Sequence, residues 1–241
     1  MDEQIARQNQ ESGVLLVDKP TDWTSHDVVS FVRRFGIKKV GHCGTLDPAA
    51  TGLLVLVLGR ATKIADRLSG QDKTYEAVME IGKETFTQDA EGEITAETDW
   101  SAVTEEQIHA ACTKFKGEIE QIPPMVSAKK QDGKRLYKLA RKGIEVERQP
   151  RPITIHELTV DNVSLPNVSF MVHCSKGTYV RTLCYDIGKV LGCGAFLKVL
   201  RRTQSGSFHI KDAFDMETIR SWNREMLLAN FIPLEKALSY I

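Results

Sequence analysis

The segment Gly41-His-Cys-Gly-Thr-Leu-Asp-Pro-Ala-Ala-Thr-Gly52 holds a single carboxylate, Asp47, among three glycines and directly before a proline. Glycine lets a backbone approach a ligand closely, and Pro48 removes a donor while restricting the conformation of Leu46-Asp47. A carboxylate held in this way can serve as a covalent nucleophile at an electrophilic carbon. It can equally cap a tight turn, and the loop alone does not separate the two. A glycoside hydrolase would need a second carboxylate across the scissile bond, and the sequence marks none. The patterns G-x-x-x-x-G-K-[ST], G-x-G-x-x-G and G-x-S-x-G are absent, so phosphate cradles and acyl-transfer elbows lose support.

Regular elements must hold this loop. Gly13 to Val17 reads as a buried strand, followed by a turn over Asp18 to Thr24. Ser25 is a plausible N-cap for a helix over about 26–35, with Val28, Val29, Phe31, Val32 and Phe35 at helical spacing before Gly36. After the loop come an apolar strand, Leu53 to Leu58, and a short helix over about 61–68. From Thr74 to Ile81 residues alternate, with Tyr75, Ala77, Met79 and Ile81 on one face. Residues 82–100 form an acidic, turn-rich excursion, and Thr104-Glu-Glu-Gln107 is a capping box. Strands are expected at about 153–160, 167–174 and 195–203, and helices over Tyr179 to Val190 and Asp215 to Leu228. Strands and helices mix without strict alternation, which predicts an α+β domain with a central, mostly antiparallel mixed sheet flanked by helices.

Of the 241 residues, 41% are hydrophobic and 27% charged, as in ordinary globular proteins. The longest apolar run, Leu53 to Leu58, is far short of a membrane span, and the polar opening twelve residues read as a flexible tail, not a signal peptide. Five scattered cysteines without a C-x-x-C pair suggest reduced thiols, a cytoplasmic location and no metal site. Net charge is zero, yet residues 80–120 carry eleven acids against three bases, and residues 125–151 nine bases against three acids. A basic block beside an acidic one fits a polyanion-facing side, or a solvated helix face.

The loop Gly41–Gly52 resembles the active-site loop of the bacterial tRNA pseudouridine-55 synthases, the TruB family. Lys19-Pro20 with Thr24-Ser25, Lys73-Thr-Tyr75, Ile122 to Lys129, Lys176-Gly-Thr-Tyr-Val-Arg-Thr182 and Leu200-Arg-Arg202 occur in that family's order and approximate spacing. The resemblance covers about residues 12–238 and implies the pseudouridine synthase fold without a cofactor. It implies that Asp47 attacks C6 of uracil or C1′ of ribose, that Arg181 pairs with it, and that Tyr75 stacks on the target base. A T-loop uridine must leave its stack to be reached, so base flipping is expected. By the same resemblance His42, Tyr179, Leu200 and Lys19 belong to the substrate site. Lys129, Lys130, Lys134, Arg135, Arg141 and Lys142, in a basic insertion over about 125–151, would contact RNA together with Arg202, and Arg33, Arg34, Lys38, Lys39 and Arg201 would extend that surface.

The implied organisation is a tail over 1–12 and a catalytic domain over 13–241, without the C-terminal PUA-like RNA-binding domain of many relatives. The implied partner is the T-stem-loop of tRNA, met by a monomer that needs no metal and no membrane, with an accessory role in tRNA folding. One departure from the family concerns the turn after Lys19-Pro20, where Thr21-Asp22 stands in place of the usual glycine; Asp tolerates such turns.

Overall fold

The computed structural model describes residues 11–125, 130–131, 134–135 and 148–240. In chain order the elements are β1 (Gly13–Lys19), α1 (Ser25–Arg33), β2 (Val40–His42), β3 (Thr51–Leu58), a 3-10 turn at Gly59–Ile64, α2 (Ala65–Ser69) and β4 (Lys73–Ile81). Next are β5 (Lys83–Thr85), β6 (Ile94–Glu97), α3 (Glu105–Thr113), β7 (Gly117–Gln121) and a minimal ladder of β8 (Lys130–Gln131) with β9 (Lys134–Arg135). Then follow β10 (Arg151–Ser164), β11 (Asn167–Cys174), α4 (Val180–Leu191), β12 (Ala195–Ser205), β13 (Phe208–His209) and β14 (Phe214–Asp215). The chain closes with α5 (Met216–Arg220), α6 (Arg224–Asn230), β15 (Ile232–Pro233) and α7 (Leu234–Ala237).

Two compact units emerge, one of residues up to Tyr75 together with Leu200 onward, the other Glu76–Val199. Strands β4 and β12 each begin in one unit and end in the other. In the first unit the strand order is β14-β1-β3-β12, with β15 on β1, β2 on β3 and β13 on β12. The β1–β3 and β2–β3 pairs are antiparallel, whereas β1–β14 and β3–β12 are parallel. β3 sits at the centre and is buried over seven of its eight residues, which explains why it reads as an unbroken apolar run. Val14, Leu16, Leu53, Val55, Val57, Leu68 and Phe208 form the core around it. Ser12, placed in the tail by sequence, is buried, and its hydroxyl accepts from Arg60 N at 2.9 Å.

The second unit has the order β4-β11-β10-β7. Its apolar core includes Ala77, Met79 and Ile81 of β4, Phe170 and Val172 of β11, Ile155 and Leu158 of β10, and Ile108, Leu183 and Ile187 of helices α3 and α4. The expected alternation of β4 is present, with Tyr75, Ala77, Met79 and Ile81 inward. The mixed strands and flanking helices are the α+β arrangement the sequence predicts.

Local chemistry refines several boundaries. Thr24, not Ser25, is the N-cap of α1, because its hydroxyl accepts from Asp27 N and Asp27 returns a bond to Thr24 N, a reciprocal pair that Ser25 does not make. The Thr104–Gln107 box caps α3 as expected. The single helix expected over 215–228 is two, since Asn223 caps a new helix through Met226 N while Trp222 turns into the core. The excursion at 82–100 contains the β5–β6 hairpin, invisible in sequence because all four residues of β6 are exposed and show no alternation. Asp22 takes the turn role foreseen for it, at φ 64°.

Helix α4 lies so close to the start of β12 that a Cβ at Gly188 would stand 2.1 Å from Ala195 N. Replacing Gly188 with alanine is therefore expected to destabilise the protein by roughly 2 kcal/mol or more, read as a lowered urea midpoint at unchanged slope.

Candidate active site

In the first unit the loop joining β2 to β3 carries Asp47, half-buried, on a backbone held on both sides. On the N-terminal side, Ser25 Oγ donates to Leu46 O at 3.1 Å and accepts from Leu46 N at 2.9 Å, satisfying both backbone groups of the residue before Asp47. On the C-terminal side, Pro48 O accepts from Asp22 N at 3.0 Å and from Lys19 Nζ at 3.1 Å, and Ala50 N closes a turn onto Asp47 O at 3.1 Å. The positive φ values of Gly44 and Gly52, 104° and 102°, open to glycine without strain, bend the loop at its ends.

Lys19 was expected among the substrate-contacting groups. Its side chain is instead fully buried, and its ammonium donates to Pro20 O at 2.8 Å, Trp23 O at 2.6 Å and Pro48 O at 3.1 Å. All three donors are thus used by backbone, and the side chain braces the loop. Burial pushes its pKa down to about 8 against the opposing pull of Asp47, so it stays charged at neutral pH.

Arg202 also differs from its expected place on an RNA-facing surface. It is only 1% exposed, its Nε donating to Leu53 O at 2.7 Å and its Nη2 to Gly44 O at 3.0 Å. The neighbouring Arg201 makes a two-point pair with Asp18, at 2.7 and 3.1 Å. Among the other cations expected on that surface, Arg33 donates to Val40 O and Arg34 lies over the Phe31 ring. Lys38 and Lys39, with Arg60, Lys63 and Arg224, line a cavity of about 550 Å³ in which Glu11 is the one carboxylate among the described residues.

His42 ends β2, opposite Leu56. Its Nδ1 is shut off from solvent near the Gly44 backbone without a hydrogen bond of normal geometry. Tyr75 lies on the inward face of β4 and is 9% exposed, and Leu200 of β12 is half-buried.

In the second unit Arg181, on the first turn of α4 and 5% exposed, donates from Nη1 to Asp89 Oδ2 at 3.1 Å and to Thr87 O at 3.4 Å. Asp89 is itself oriented by Thr87 Oγ1 and by Glu91 N at 3.1 Å. The neighbouring Gln88, at φ 64°, accepts from Thr182 Oγ1 at 2.8 Å. Tyr179 is held through its backbone: Gln121, buried, accepts from Tyr179 N at 2.8 Å and donates to Tyr179 O at 3.1 Å. Asp89 and Gln121 were missed from sequence. Asp89 sat unremarked in the acidic excursion, where only its Thr-x-Asp spacing hinted at a self-capping turn, and nothing near Gln121 signalled a partner 58 residues on.

Of the basic insertion, Lys129, Arg141 and Lys142 lie outside the described residues, as do the side chains of Lys130, Lys134 and Arg135. Among the described residues no three His, Cys, Asp or Glu side chains gather as a metal ion would require. No described helix is long and apolar enough to cross a membrane.

The chain's fold is shared with known proteins. It aligns over 98% of its length, at 28% identity and a TM-score of 0.74, with a chain in the crystal structure of a Cbf5-Nop10-Gar1 complex. It aligns at 26% identity and a TM-score of 0.71 with one in an H/ACA RNP bound to a substrate RNA containing 2′-deoxyuridine. It spans 64% and 63% of those two chains. The profile of the TruB family pseudouridylate synthase N-terminal domain matches residues 32–180, and that of the tRNA pseudouridylate synthase B C-terminal domain matches residues 181–239. Relatives called tRNA pseudouridine synthase B include those of Syntrophotalea carbinolica, 53% identical over 86% of this chain and 68% of its own length, and of Clostridium tetani, 51% identical over 95% and 78%. That of Opitutus terrae is 48% identical over 93% of this chain and 94% of its own length.

The α+β architecture is therefore that of a pseudouridine synthase, an RNA-modifying isomerase. Within that class, the chain belongs to the TruB family of tRNA pseudouridine synthases.

Burial lowers the pKa of His42 below the ordinary 6.5, with the Arg202 charge adding to it. The folded state thus resists a proton that the unfolded chain accepts, so stability is full above about pH 6.5 and falls as the solution is acidified below it. Urea unfolding between pH 7.5 and 5 is expected to show that decline, and a shallower one in His42→Gln.

Proposed function

We propose that this chain converts uridine 55 of the tRNA T-loop to pseudouridine, with Asp47 as the nucleophile on a flipped-out base. The observation that carries the reading is the backbone around Asp47: the groups on either side are tied to Ser25, Asp22 and Lys19, so the carboxylate stands on a scaffold that need not reorganise during reaction. The relatives' shared name supports tRNA as the substrate.

In the proposed reaction the Asp47 carboxylate attacks C6 of the uracil or C1′ of the ribose. The N1–C1′ bond breaks, the base turns and a C5–C1′ bond forms; C5 then gives up its proton to solvent, N1 takes one up in its place, and the bond to Asp47 breaks to return the free carboxylate. No atom is gained or lost, so the sum is an isomerisation. Arg181 is proposed to be the cation beside Asp47, favouring its ionised form, and the Asp89 carboxylate behind Arg181 limits the directions its guanidinium can take. Tyr75 is proposed to stack on the extruded base, where stacking is worth roughly 1–3 kcal/mol and helps offset the few kcal/mol of unstacking. His42, Tyr179 and Leu200 would complete the pocket. Lys129, Lys130, Lys134, Arg135, Arg141 and Lys142 would meet phosphates, making affinity fall with salt. Lys38, Lys39 and Lys63 add cations to the same task.

Incubating an unmodified tRNA with the purified chain, followed by chemical mapping, should place pseudouridine at position 55; modification confined to another position would refute the substrate. Asp47→Asn is expected to abolish product while leaving tRNA binding intact, and near-normal single-turnover activity in that variant would remove Asp47 from the chemistry. Asp89→Asn, which weakens one charged hydrogen bond to Arg181, is expected to slow single turnover by about tenfold to a hundredfold, the kinetic equivalent of such a bond.

A further inference from the structure

We propose that Arg202 is a positioning residue for Asp47: its buried guanidinium ties the entry of the catalytic loop, at Gly44, to its exit, at Leu53. The inference rests on the reading of Asp47 as the nucleophile.

A guanidinium is costly to bury, and the usual compensation is a carboxylate partner. Among the described residues Arg202 has none. Its partners are two backbone carbonyls, Leu53 O at 2.7 Å from Nε and Gly44 O at 3.0 Å from Nη2. These carbonyls lie nine residues apart in the chain, and Asp47 lies between them. The strand of Arg202 is also fastened at this point, since β12 runs parallel to β3 with Arg202 opposite Gly52 and Arg201 opposite Thr51.

Both glycine bends of the loop are shaped against the same residue. A Cβ at Gly52 would stand 2.3 Å from Arg202 O and 2.8 Å from Arg202 N, and one at Gly44 would stand 3.3 Å from Arg202 Nη1. Backbone and side chain of Arg202 thus occupy the space that two missing side chains leave. The loop has one geometry in which both carbonyls reach the fork, and Asp47 is placed by that geometry.

The form of the group matters as well as its charge. A guanidinium carries its donors on separate nitrogens of a rigid, planar fork and reaches two carbonyls from two different atoms, whereas an ammonium serves only carbonyls gathered around one nitrogen, as those of Pro20, Trp23 and Pro48 are around Lys19. Lysine at position 202 would keep the charge and most of the buried stem while leaving one carbonyl without its donor. An error of about 1 Å in a reacting group can lower a rate on the order of a hundredfold.

The test compares wild type, Arg202→Lys and Arg202→Gln with Leu227→Ala, a control that removes a buried side chain from α6, outside the loop. At saturating enzyme, Arg202→Lys is expected to lower the single-turnover rate of pseudouridine formation by about tenfold to a hundredfold with tRNA affinity unchanged. Leu227→Ala is expected to lose comparable stability and keep the wild-type rate. Arg202→Gln, neutral and carrying an amide donor, keeps the comparison open where the lysine variant fails to fold. In that neutral variant the His42 imidazole should titrate at higher pH by NMR, because a neighbouring positive charge has gone. Amide exchange over residues 44–53 should quicken in the Arg202 variants and not in Leu227→Ala. A rate in the Arg202 variants equal to that of Leu227→Ala would overturn the proposal, as would a loss confined to tRNA affinity, which would make Arg202 an RNA contact. Wild-type inactivity would instead sink the reading of the reaction, and exchange over 44–53 would still report whether the guanidinium holds the loop.

Discussion

Two buried cations, Lys19 and Arg202, spend no donor on a carboxylate and all their recorded hydrogen bonds on main-chain carbonyls of the first unit. Burying a charge is tolerable only where its donors are satisfied, and loops rarely offer enough inward-facing carbonyls to do so. Here the requirement runs both ways. The loop around Asp47 turns its carbonyls inward because cations wait there, and the cations remain charged because the carbonyls surround them. Around this mutual dependence β1, β3 and β12 supply the rigid frame: Lys19 ends β1, Gly52 and Leu53 open β3, and Arg202 sits in β12 opposite Gly52.

The second unit solves a different problem. Arg181 rises from the first turn of α4 and meets Asp89, an acid from a segment 92 residues earlier. That acid is already held by Thr87 and Glu91, so the pair is built on an oriented carboxylate. A guanidinium so restrained has fewer geometries open to it than one on the surface, where pairs contribute little. Asp89 lies in the connection between β5 and β6, a hairpin whose second strand buries none of its four side chains.

Legibility in sequence followed burial. β3 and β4 could be read because their patterns, unbroken apolar and strictly alternating, are the direct imprint of two-faced and one-faced burial. The caps at Thr104 and the turn at Asp22 could be read because they are local bargains between neighbours. β6 could not, since none of its side chains is buried, and the break between α5 and α6 could not, since a capping asparagine inside a helical pattern looks like an ordinary polar position.

The glycine-bounded loop of Asp47 and the inward face of Tyr75 were legible from residues near one another in sequence, and the family from several short motifs spread along the chain. Lys19 and Arg202, read there as a substrate contact and an RNA contact, acquired their places only in the tertiary structure. A charge run in a sequence carries no record of whether a cation meets solvent or a carbonyl 29 or 158 residues away. The same holds for Asp89 and Gln121, whose partners Arg181 and Tyr179 come from distant segments. Short-range periodicity is written into the chain by local sterics and burial. The pairing of a particular donor with a particular acceptor is decided when the folded chain brings them together, to 3.1 Å for Lys19 on Pro48 and for Arg181 on Asp89.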